Sequence, residues 1–127
     1  MRGPNLAAVA TADDVRAIAL AFPRAYEREV SGRAKFRVGS YVFAALSPDE
    51  SLLGFGFPKL ERDALVASEP DKFLPPRTQD ERYNWMRLRL DAVDVTELRE
   101  LLTDAWAMCV PKKVSAAYFG PHESGRP

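Results

Sequence analysis

Tyr83, Trp85, Arg87 and Arg89 recur at every second residue of the stretch RYNWMRLRL, residues 82–90. In an extended chain this spacing puts them on one face and leaves Met86, Leu88 and Leu90 for a core on the other. Guanidinium groups fork onto phosphate oxygens, and tyrosine and tryptophan rings offer stacking surface to bases. A second row has the same parity. In RAKFRVGSYVFAAL, residues 33–46, Ala34, Phe36 and Val38 suit a core, which turns Arg33, Lys35 and Arg37 outward. On a shared sheet face the two rows bring together five cations and two aromatic rings, the chemistry of a nucleic-acid-binding surface. Alternating cations also blunt strand edges and keep an open face soluble, so the pattern by itself has low specificity. Glu27 and Glu29 share a strand face as well, and would cancel the positive potential if they paired with the arginines. Gly54 and Gly56 within GFGF turn Leu53, Phe55 and Phe57 to the core. If they face the cations, they leave a bare saddle for an extended partner.

Residues for catalysis are scarce. His122 is the one histidine and lies five residues from the end, a poor platform for acid–base work. Cys109, the one cysteine, has no histidine nearby in sequence and sits in an apolar helical stripe, which predicts a buried, inert thiol. Asp13 and Asp14 are adjacent on a helix and suit its N-terminus better than a metal. The GFGF run lacks the spacing of a phosphate-cradling loop. No catalytic residue, metal ligand or cofactor site is expected, and the chain reads as a non-enzymatic binding protein.

The elements that position these rows follow from periodicity. With 127 residues, 46% apolar and 28% charged, the chain fits one globular domain over residues 1–127, with flexible ends at about 1–10 and 119–127. Eighteen basic residues balance eighteen acidic ones, so any electrostatic partner must be met by a local patch. Thr11 caps a first amphipathic helix that stops at Pro23. A period of two from Arg24 to Phe57, cut at Ser31-Gly32, Gly39-Ser40 and SPDES (47–51), gives about four short antiparallel strands. A helix follows in PKLERDALVAS. The next stretch is a proline-rich loop pinned by Phe73 and Leu74, leading to the strand of Trp85. Asp94, with Glu97 three residues on, marks the start of a third helix with Leu98, Leu101, Leu102, Ala105 and Cys109 inward. PKKVSAAYFG adds a short helical turn, and PHESGRP frays. The class is α+β, a twisted antiparallel sheet with helices on one face. The lone cysteine and the lack of a leader or membrane-length segment predict a cytoplasmic protein with no membrane partner; the sequence leaves the oligomeric state open, with a monomer slightly favoured.

Three stretches, FRVGSYVFAALSPDESLLGFGFP, ALVASEPDKFLPP and YNWMRLRLDAVDVTELRELLTDAWAMCVPKK, together with their order over about residues 12–116, resemble the MmcQ/YjbR family. The resemblance implies a double-wing, frataxin-like α+β fold and DNA binding. It carries over Phe36, Val38 and Gly39 in one strand and Trp85, Arg87 and Leu88 in another, and supplies no catalytic residues. The frataxin-like fold suggests iron, but beyond Asp13 and Asp14 the first helix lacks an acidic ridge. The expected function is therefore DNA or other nucleic-acid binding through Arg33, Lys35, Arg37, Tyr83, Trp85, Arg87 and Arg89. The alternative is a protein- or small-ligand-binding module with a pocket edge at Trp85 and the 70–82 loop.

Overall fold

Thr11 opens the structure with a reciprocal cap. Its hydroxyl accepts the Asp14 N–H at 3.2 Å, while the Asp14 carboxylate accepts the Thr11 N–H at 2.9 Å. The computed structural model describes residues 8–119. Helix α1 (Ala12–Ala19) is followed by strands β1 (Ala25–Val30), β2 (Arg33–Val38), β3 (Tyr41–Leu46) and β4 (Leu52–Gly56). Then come α2 (Lys59–Ser68), β5 (Phe73–Leu74), β6 (Trp85–Arg89), α3 (Val95–Ala107) and α4 (Lys112–Phe119). The sheet order is β1-β2-β3-β4-β6-β5, with every neighbouring pair antiparallel. This is the α+β class expected from the sequence.

The turns sit where the sequence puts them. Ser31 and Gly32 both have positive φ, 55° and 79°, the two-residue hairpin geometry whose twist matches that of the strands. In SPDES the Asp49 carboxylate accepts from both Ser51 groups and from the Ser47 hydroxyl, which holds its pKa below the ordinary carboxylate value.

One feature of the sheet departs from strict alternation. The β2–β3 register passes from Phe36↔Ala44 to Arg37↔Val42, so Phe43 is an extra residue, a bulge. Phe43 and Ala44 are both buried, while Val42 and Ala45 are turned to the opposite face. α1 and α3 cover the face carrying Phe36, Phe43, Leu53, Phe55, Met86 and Leu88.

α3 starts at Asp94, whose carboxylate accepts the Glu97 N–H at 2.8 Å. The box is half complete there, because the Glu97 carboxylate instead takes the Lys72 ammonium at 2.9 Å. Leu98, Leu102 and Ala105 are fully buried, whereas Leu101 is half-buried. The largest buried side chain is Trp106, stacked on Phe22 with ring centroids 5.2 Å apart and donating from Nε1 to the Pro23 carbonyl at 3.0 Å. Cys109 is not in the buried stripe: α3 ends at Ala107, so the thiol lies past the helix and is half-buried, with burial pushing its pKa up.

Three further expectations change. Residues 8–10 are not a loose lead, since Val9 bridges to Asp94 and buried Ala10 donates to the Val93 carbonyl at 2.8 Å. The proline-rich loop contains β5, whose Phe73 is buried opposite Leu88. The short turn near the end is the full helix α4, reaching Phe119 and seating Tyr118 4.9 Å from Trp106. Residues 1–7, the PHESGRP stretch and His122 lie outside the described residues. No helix among the described residues is long and apolar enough to cross a membrane.

Candidate functional site

The two-residue turn at Ser31-Gly32 fixes the register of the first hairpin, pairing Glu27 with Phe36 and Glu29 with Ala34. Directly opposed residues share a face, so both glutamates lie on the helical side. There Glu27 meets Arg16 of α1 at 3.3 Å, and Arg16 also donates to Glu50 at 2.7 Å. These two carboxylates, Glu50 foremost, raise the Arg16 pKa. The glutamates do not neutralise the cationic rows. The open face gains Tyr26 and Arg28 instead, opposite Arg37 and Lys35.

On β6 the alternation runs through to β4, with Arg87 opposite Gly54 and Arg89 opposite Leu52; Trp85 pairs with Gly56 at the strand end, and its indole lies over Gly54. Arg33, Lys35 and Arg37 therefore share one sheet face with Trp85, Arg87 and Arg89. Between the rows lie β3, β4 and the turn that joins them, which contribute Val42, Ala45, Ser47, Leu52 and Gly54. Long side chains flank short ones, and the result is a concavity of about 680 Å³.

Arg33, Lys35, Tyr83, Trp85 and Arg87 line it, joined by Arg77, Asp80 and Asn84 from the segment before β6. That makes four cations and one carboxylate, Asp80, whose Oδ2 accepts from Arg77 at 3.3 Å. Among the described residues Arg33, Lys35, Arg37, Arg87 and Arg89 make no ion pair. Arg37 and Arg89 share the face but lie outside the concavity; the Arg37 Nε is buried without a hydrogen-bond partner.

The bare saddle does not form. A Cβ placed on Gly54 would lie 2.7 Å from Trp85 Nε1, so the indole itself covers this glycine. At Gly56 the same atom would instead meet Ala105 and the Met108 sulfur on the helical side, each at 3.7 Å. Trp85 is half-buried over its floor, and Tyr83 is exposed with the Arg82 guanidinium 4.9 Å from its ring centre.

Arg62 belongs to neither of the cationic rows, yet it organises the rim. It is the buried residue of α2, 7% exposed. Its guanidinium donates to the carbonyls of Glu81, Tyr83 and Trp85, each at 3.1 Å. Around it the Lys59 N–H donates to Asn84 Oδ1 at 2.8 Å and the Lys59 ammonium to the Arg82 carbonyl at 3.1 Å. On the other side of the segment, Arg87 Nε donates to the Pro75 carbonyl at 2.9 Å. α2 thereby holds the aromatic rim in place. No group of three or more histidine, cysteine or acidic side chains placed to hold a metal occurs among the described residues.

Comparison with known proteins adds a family and a fold. The family model described as YjbR matches residues 20–108. The structure is similar to the crystal structure of Deinococcus radiodurans protein DR2400, a protein with a DUF419 family domain. The TM-score is 0.70 at 20% sequence identity, over 89% of this chain and 91% of that one. No curated protein matches the sequence.

Proposed function

The chain belongs to the YjbR family, and from the charge and shape of its open sheet face we propose that it is a non-enzymatic nucleic-acid-binding protein. One observation carries the reading: four cations and a tryptophan converge on one concave face that holds a single carboxylate, while Glu27 and Glu29 lie on the far side of the sheet. Arg33, Lys35, Arg77 and Arg87 engage phosphates, and Trp85 and Tyr83 supply the stacking surface. With about three to five phosphates neutralised, log K against log salt has a slope of roughly −3 to −4, so affinity falls about a hundredfold for a fourfold rise in salt.

The test is a salt titration of DNA binding with the parent protein and an Arg33→Ala/Lys35→Ala variant. Among the described residues neither side chain makes an ion pair or a side-chain hydrogen bond that holds the fold, and every phosphate left without its cation makes the slope shallower by about one. The variant is expected to bind more weakly with a slope reduced by about two, at unchanged stability. Salt-indifferent binding, or equal affinity in the variant, refutes the reading. The concavity favours a second reading as well: about 680 Å³ is the size of a small-ligand pocket, so a phosphorylated small molecule is the alternative occupant.

A further inference from the structure

We propose that the open face selects single-stranded nucleic acid over duplex, an inference that rests on the nucleic-acid reading and names its substrate class. The cross-section of the face is the reason. Going from β2 to β6 the side chains run long, short, short, long: Arg33 and Lys35, then Val42 and Ala45, then Leu52 and Gly54, then Trp85 and Arg87. Three strand spacings separate the outer rows, roughly 14 Å between backbones. Arg77, Asp80, Tyr83 and Asn84 add to the wall on the β6 side.

A duplex is wider than this trough. Its base edges lie at the bottom of grooves roughly 7.5–8.5 Å deep, which only a protruding element reaches. This face is hollow, and its stacking ring lies on the floor. The Trp85 indole leans inward from β6 across Gly54, between the two cationic rows, where the paired bases of a duplex cannot follow. An unpaired base can be lowered between the walls onto the indole while its neighbouring phosphates meet Arg87 on one side and Arg33 and Lys35 on the other. Asp80, the one carboxylate of the lining, and Asn84 stand beside that position as acceptor and donor for a base edge. Gly54 is what makes the seat possible, because any side chain there displaces the indole.

The experiment compares a short labelled mixed-sequence DNA strand with the same strand annealed to its complement, by fluorescence anisotropy at one low salt concentration. The single strand is expected to bind the full chain at least about tenfold more tightly, the effect of one base–aromatic stack. Binding should quench tryptophan emission in the parent and not in Trp85→Phe, where buried Trp106 remains as an internal reference. Gly54→Ala keeps every cation and moves the indole, so it should lower single-strand affinity towards the duplex value and leave duplex binding unchanged. Equal or tighter binding of the duplex overturns the inference while leaving the nucleic-acid reading in place. A parent protein that binds neither form overturns both. Quenching that persists in Trp85→Phe, or unchanged single-strand affinity in Gly54→Ala, removes the seat over Gly54 and overturns the inference.

Discussion

Replacing Arg62 with methionine keeps the aliphatic stem in α2 and removes the guanidinium that three carbonyls share. A hydrogen bond from a charged donor contributes about 1.5–3 kcal/mol, which for three bonds sets an upper limit well above the net effect. Two corrections lower it. The carbonyls of Glu81 and Tyr83 belong to exposed residues and regain water once the donor is gone. Arg62 itself sits in the fold at a desolvation cost: its Nε is buried without a hydrogen bond, and the nearest carboxylate oxygen, on exposed Asp63, is 3.6 Å away. The net loss is about 2–3 kcal/mol, roughly a 30- to 160-fold change in the equilibrium it reports.

That loss falls first on the segment before β6, because α2 has no other fully buried residue to keep it seated. Urea unfolding measures the global part, and limited trypsin digestion at Arg77 and Arg82 measures local opening. Cleavage there should accelerate by at least about tenfold in Arg62→Met. Arg62→Lys should fall between parent and methionine variant, since an ammonium cannot span three acceptors as a planar fork does. A methionine variant within about 0.5 kcal/mol of the parent, cleaved at the same rate, would refute the clamp.

Two other outcomes are open to direct measurement. Asp94→Ala should cost about 1 kcal/mol in denaturant unfolding and Asp94→Ser much less, because the group removed is the cap on the Glu97 N–H. Lys72 is held above its ordinary pKa of 10.5, first by its bond to Glu97 and then by Glu69. The folded state therefore binds this proton more tightly than the unfolded chain, and the stabilisation is complete at neutral pH and fades only as pH rises past about 10.5. Both partners are partly exposed, so Lys72→Met should cost no more than about 1 kcal/mol at pH 7, and the deficit should shrink in strongly alkaline solution.

The parity of the cationic rows was legible because a one-residue slip would bury a row of charges. Phe36, Val38, Met86 and Leu88 admit one orientation only. The side taken by Glu27 was legible too. A two-residue turn at Ser31-Gly32 pairs Val30 with Arg33, and counting back from it sets Glu27 against Phe36. Arg62 left a trace of the same kind: with Leu65 and Val66 it occupies positions i, i+3 and i+4 of one stripe, and a guanidinium in an apolar stripe signals a buried donor in search of carbonyls. Other features left no local trace. The Phe43 bulge depends on β3 packing two consecutive residues against the helices, and hydrophobic alternation cannot report that Phe43 is an extra residue between Val42 and Ala44. The position of β6 between β4 and β5 comes from long-range pairing, and β5 is too short to show a period. Cys109 fits the helical stripe by spacing, yet the helix stops before reaching it.

The separation of charge across the sheet also bears on how quickly partners meet. The concavity holds four cations and one carboxylate, and because the chain has eighteen of each sign, the remainder carries a surplus of three acids. Such a molecule has no monopole to draw a polyanion from a distance. What field it has belongs to the separated charges and is screened within about 8–10 Å at ordinary ionic strength. It acts as a torque on a partner already close, turning the open face towards it. Association then proceeds near the unsteered rate of about 10⁵–10⁶ M⁻¹s⁻¹. Whatever affinity the face achieves must come from how long a captured partner stays.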